Sequence, residues 1–127
     1  MPNLNLLLNI NSYSDTCPTN APTLSNFKWT RQISAIPFTS EASKSMALAV
    51  SASATLLSSD NKSFLYLESD QALTVVINGG SPITLTPFEI NGILKPGVLC
   101  ISMPITSLVV TNPSSVVVAN ITFAALG

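Results

Sequence analysis

The sequence contains no histidine. That removes the Ser-His-Asp triad, the Cys-His pair and every histidine-ligated zinc site. Charge is scarce: 9% of the 127 residues are charged, five basic and six acidic, for a formal net charge of −1. Nucleic-acid binding through counterion release needs clustered Lys and Arg, so no nucleic-acid partner is expected. Long apolar runs are missing too. The longest spans residues 46–50, far short of the roughly 20 that a transmembrane helix requires. The start, Met1-Pro2-Asn3-Leu4-Asn5, has no positive charge and breaks its apolar stretch with asparagine, unlike a secretory signal peptide. Eight aromatic residues, mostly before Phe88, are too few for the two girdles of an outer-membrane barrel. No membrane partner is expected. The five glycines form neither a GxGxxG nor a Walker pattern, which leaves no phosphate-binding loop.

What the chain does have is alternation. At 127 residues and 46% hydrophobic, it suits a single domain over 1–127 that needs no metal or disulfide staple. Leu4, Leu6, Leu8 and Ile10 oppose Asn5, Asn9 and Asn11, and Phe27, Trp29, Arg31 and Ile33 alternate with polar residues. This is the period of a half-buried strand. Residues 15–25, with Cys17, Pro18, Asn20 and Pro22, read as a loop or extended arm. Segment 41–57 is rich in alanine, a strong helix former, but its Ser-Ala alternation favours strand.

Further strands are expected at 64–68, 73–77, 83–86, 98–103, 107–111 and 116–123. Turns fall at Asp60-Asn61-Lys62, Ser69-Asp70-Gln71, Asn78-Gly79-Gly80-Ser81 and Asn112-Pro113-Ser114. The third is a strong hairpin signal, because its residues tolerate positive φ. Phe88-Glu89-Ile90 and Gly92-Ile93-Leu94 lie between Pro87 and Pro96. Turns spaced this way predict an all-β, single-domain β-sandwich or jelly roll of about eight or nine short antiparallel strands. Val116-Val117-Val118 reads as a strand apolar on both faces, its second face covered by another sheet, a loop or a partner subunit. Thr74-Val75-Val76-Ile77-Asn78 echoes Leu108-Val109-Val110-Thr111-Asn112, as two strands obeying the same turn rules would.

Six carboxylates are the available catalytic acids: Asp15, Glu41, Asp60, Glu68, Asp70 and Glu89. On one strand, Glu68 and Asp70 would share a face about 7 Å apart, within the span of a glycosidase pair. The simpler reading is that they flank a hairpin turn and solvate it. The same pair could hold calcium with Asn78, but no dedicated loop is present. No enzyme is expected, and no catalytic, cofactor-binding or metal residue is assigned. Trp29 with Tyr13 and Tyr66 would make a sugar-stacking platform, against the commoner role of tryptophan as core. Cys17 and Cys100 are the only cysteines. Both are expected as free thiols, Cys100 buried in its apolar strand as a small hydrophobe.

Two stretches carry a resemblance: Phe64-Leu65-Tyr66-Leu67-Glu68-Ser69-Asp70 through Leu73-Thr74-Val75-Val76-Ile77-Asn78-Gly79-Gly80, and Thr106-Ser107-Leu108-Val109-Val110-Thr111-Asn112-Pro113 leading into the valine-rich end. Over about half the chain these resemble small virion proteins of tailed bacteriophages. The resemblance implies a capsid decoration (cement) protein or a minor head, neck or tail component. It would be made in the host cytoplasm and carried in the virion, bound to the major capsid protein or other virion proteins. No functional residue carries over. A surface poor in Lys and Glu suits burial in an assembly, so a homo-oligomer is expected; the resemblance implies a trimer. The alternative is a carbohydrate-binding β-sandwich of a host-recognition fibre, resting on Trp29 beside Gln32 or Asn26.

Overall fold

Alternating side chains fold as alternating strands. The computed structural model describes residues 3–11 and 28–127, and every regular element in them is a β-strand. The chain falls into two compact units, Met1–Phe38 and Thr39–Gly127. In the first, β1 (Asn3–Asn11) and β2 (Lys28–Pro37) form an antiparallel ladder that sets Leu6 opposite Ile33 and Ile10 opposite Trp29. The expected arm at 15–25 lies outside the described residues. The two sheets of the expected sandwich lie within Thr39–Gly127.

That second unit holds β3 (Glu41–Leu48), β4 (Ser53–Leu57), β5 (Lys62–Ser69), β6 (Leu73–Ile77), β7 (Ile83–Leu85), β8 (Phe88–Ile90), β9 (Ile93–Lys95), β10 (Gly97–Ile105), β11 (Leu108–Thr111) and β12 (Ala119–Leu126). Eight of these form two four-stranded sheets, ordered β10-β5-β12-β3 and β4-β11-β6-β7. The pairing is nested: β3 with β12, β4 with β11, β5 with β10, and β6 with β7. This unit is therefore one long hairpin, rolled so that successive pairs alternate between sheets. That winding is a jelly roll. The short β8–β9 hairpin pairs only within itself and is inserted between β7 and β10.

Period-two burial fills the space between the sheets. Leu65 and Leu67 from β5, Leu73, Val75 and Ile77 from β6, Leu108 and Val110 from β11, and Ile121, Phe123 and Ala125 from β12 share one core. Each large side chain buried there contributes about 1.5–3 kcal/mol. On the outer faces hydroxyls meet across strands, Ser45 with Thr122 at 3.0 Å and Ser53 with Thr111 at 2.7 Å. Segment 41–57 is strand as expected, broken between β3 and β4 where Ser51 takes a φ of 55°.

The predicted hairpin tip is present. Asn78 and Gly79 have φ of 53° and 67°, and Gly80 N–H donates to Ile77 O at 2.9 Å. Positive φ at both central residues is the turn whose twist matches the flanking strands. Asn78 also accepts at Oδ1 from the N–H of Thr106 (2.7 Å) and of Ser107 (3.2 Å), tying this tip to the β10–β11 connection.

Three local expectations need correction. Lys62, read as a turn residue, begins β5 and is buried, its Nζ donating to Ser40 Oγ at 2.8 Å. Ser69-Asp70-Gln71 is not a hairpin turn, because β5 and β6 lie in different sheets. The last strand begins at Ala119, not at residue 116, and Val116, Val117 and Val118 lie exposed before it. The cause is Asn112, fully buried, whose Nδ2 donates to the carbonyls of Leu48, Ala49 and Val117. With Ser114 Oγ accepting from Val116 and Val117 N–H, these valines have backbone partners outside any ladder.

Candidate interaction surface

Antiparallel winding sorts the connections onto two ends of the jelly roll. Connections 58–61, 78–82 and 106–107 share one end; 49–52, 70–72, 86–96 and 112–118 share the other. The first is built from Ser, Asn, Gly, Thr, Asp and a single Pro. The second is apolar. Among the described residues, eleven large hydrophobic ones are exposed, and eight of them lie on its connections: Val50, Phe88, Ile90, Ile93, Leu94, Val116, Val117 and Val118. Val98 adjoins them at the start of β10.

The β8–β9 hairpin is the most exposed part of this end. It turns at Asn91 and Gly92, with φ of 52° and 75°, and all six of its strand residues are exposed. Its register sets Phe88 opposite Lys95, Glu89 opposite Leu94, and Ile90 opposite Ile93. Directly opposite residues share a face, so Phe88, Ile90 and Ile93 form one apolar face with Lys95 at its base. Leu94 and Glu89 form the other. The remaining charge at this end, Asp70, is engaged: its carboxylate accepts from Asn120 N–H at 2.8 Å and Nδ2 at 2.6 Å.

Of the carboxylates considered for catalysis, Asp15 lies outside the described residues, and no two of the other five share a partner. Glu41 accepts from Ser43 Oγ at 2.8 Å and Asp60 from Ser58 N–H at 3.0 Å. Glu68 accepts from the Tyr66 hydroxyl on the outer face of β5, while Asp70 has left the strand and holds Asn120. A cleft of about 320 Å³ lies between β3 and β4, lined by Lys44, Met46, Ala54, Thr55, Leu56 and Phe123, with no carboxylate in it. Among the described residues, no three Cys, Asp or Glu side chains gather as metal ligands. Trp29 lies in β2, and Tyr13 and Cys17 fall outside the described residues.

Tyr66 titrates far from its usual range. Its hydrogen bond to Glu68, with partial burial and that carboxylate's charge adding, pushes the phenol up to about 12. Because the folded value lies above the unfolded 10.0, its contribution to stability is complete below pH 10. It is lost as pH rises towards 12, where the unfolded chain has released the proton and the folded one has not. Ultraviolet titration of the native protein should show a late tyrosinate step near pH 12, and Tyr66→Phe should abolish it.

Cys100 corrects another expectation. It lies opposite Tyr66 in the β10–β5 ladder and is exposed rather than buried, with a free thiol. Leu99 and Ile101 beside it pack against the core, so period two turns Cys100 outward. A maleimide should therefore label native protein at Cys100 without denaturant, and Cys100→Ser should remove that label.

The exposed hairpin at 88–95 is the feature that sequence reading missed. Its signal was Asn91-Gly92, the same pair as Asn78-Gly79. Comparison with family models, with curated proteins and with solved structures finds no match to this chain.

Proposed function

We propose that this protein is a non-enzymatic structural component of a bacteriophage virion. It would serve as a capsid decoration (cement) protein or a minor head, neck or tail component that binds the particle and stabilises it. The observation carrying this reading is the apolar end of a charge-poor jelly roll, set opposite a polar end. An isolated soluble protein seldom gathers so many exposed apolar residues at one end, whereas a component of an assembly covers them. The jelly roll itself is an architecture that viral capsid domains use; this is an analogy of fold and adds only support. Among the described carboxylates, Glu41, Asp60, Glu68 and Asp70 are each engaged separately, and Glu89 stands apart on the β8–β9 hairpin. The partners would be the major capsid protein or other virion proteins, with the chain made in the host cytoplasm and acting as a homo-oligomer.

The test is sedimentation of a tagged chain with intact particles of the virus whose genome encodes it. Recovery at a fixed number of copies per particle is the expected result. Recovery only in the soluble fraction would overturn the proposal.

A further inference from the structure

We infer that the apolar end of the jelly roll binds a second copy of this chain, with the free edge of β9 as the central contact. This rests on the homo-oligomer of the proposed function and names its contact, which is between copies and needs no particle.

The hairpin itself asks for cover. Its two strands have three residues each, all exposed, and a lone two-stranded hairpin is marginal in water. Both outer edges lack a ladder partner among the described residues. An exposed apolar edge is a template for pairing with another chain.

Area points to a partner of protein size. Leu94 is 60% exposed, Ile90 59%, Ile93 58%, Phe88 49% and Val116 82%. With the remaining valines, this end presents on the order of 800 Å² of apolar surface, about one partner's share of a standard interface.

Charge selects the occupant. The end carries Glu89 and Lys95 free of ion pairs, and Asp70 already bonded to Asn120. An anionic lipid surface or a nucleic acid would be recognised by clustered Lys and Arg, which are absent from it. A near-neutral apolar surface matches another of its own kind, and a two-fold axis supplies one. The edge follows from register. Antiparallel pairing of β8 about Glu89 would set two carboxylates opposite each other, a destabilising arrangement. Pairing of β9 about Leu94 sets Leu94 against its mate and Ile93 against Lys95, whose aliphatic stem covers apolar surface.

Sedimentation equilibrium of the full chain at micromolar concentration, in low and high salt, tests this. The expected species is a dimer or larger closed oligomer that persists in high salt, because apolar contact is not screened. Leu94→Asp should weaken self-association about tenfold or more, with an unchanged circular dichroism spectrum. Should that variant misfold, Leu94→Cys in a Cys100→Ser background supplies the second test. It should form an intermolecular disulfide on mild oxidation faster than Ser59→Cys at the polar end. A monomeric wild type, including a monomer that binds vesicles or particles, would overturn the inference. So would an oligomer that Leu94→Asp leaves intact, or equal cross-linking at both ends. A monomeric Leu94→Asp chain that still sediments with particles would support self-contact at this end and leave the virion role standing.

Discussion

Replacing Asn112 by alanine is expected to lower the stability of the sandwich unit by about 3–5 kcal/mol. Asn112 is fully buried, and its one amide serves three carbonyls: Leu48 and Ala49 at 3.2 Å and Val117 at 2.8 Å. Its Oδ1 accepts from Ser114 N–H at 3.0 Å. Alanine would orphan all of these at once, and each unsatisfied buried group costs about 1–3 kcal/mol. Relaxation of the connection towards water keeps the total below the sum. Aspartate should not rescue it, because a second oxygen would then face three carbonyls. For a domain of this size the melting temperature should fall by about 15 °C or more, read by circular dichroism against wild type. A loss within about 1 kcal/mol would mean that the connection at 112–118 holds itself without this side chain.

Gly97→Ala is expected to cost about 2–3 kcal/mol through overpacking and to disturb the apolar end as well. Gly97 is buried in the ladder opposite Ser69. A Cβ there would lie 2.9 Å from the carbonyl carbon and oxygen of Thr86 and 3.2 Å from Leu85 Cγ. Backbone cannot swing aside as a side-chain tip can, so Thr86 must move. Thr86 and Gly97 are the two legs from which the β8–β9 hairpin projects. Urea denaturation should therefore report reduced stability, and sedimentation should report weaker self-association. Gly92→Ala is the informative contrast: nothing lies within 4 Å of its Cβ, and its φ of +75° alone opposes the substitution. It should cost about 1 kcal/mol.

Most of the strands were legible because local rules and tertiary packing agree in this chain. In β6 the buried Leu73, Val75 and Ile77 alternate with the half-buried Thr74 and Val76, and burial in β5 keeps the same period although its sequence, Phe64-Leu65-Tyr66-Leu67, has no polar markers. Asn78-Gly79 forms its turn because no competing interaction asks for another conformation. Partner choice was not legible, since the β3–β12 pairing joins residues as far apart as Glu41 and Leu126 and no local pattern encodes it. Phase was lost wherever polar markers were missing: in Val98-Leu99-Cys100-Ile101 every residue is apolar, so nothing announced that Cys100 faces out. The Val116-Val117-Val118 run matched a doubly buried strand, and a side chain four residues upstream overrode it. The echo between 74–78 and 108–112 has a physical counterpart. β6 and β11 are neighbours in one sheet, and each is followed by an asparagine that binds a distant backbone segment. As for the interaction surface, its apolar residues were visible in the sequence, but their gathering at one end is a product of the winding.

That winding also fixes when the roll can close. In the β10-β5-β12-β3 sheet, β12 lies between two strands that come much earlier in the sequence. Until β12 leaves the ribosome, β3 has no neighbour in its sheet, and the core lacks Ile121, Phe123 and Ala125. Such non-local closure is slow compared with local folding. A chain cut short before Ala119 would lack an interior strand, not a trimmed edge, and could not close the roll. Only with β12 in place does the roll close and its core fill.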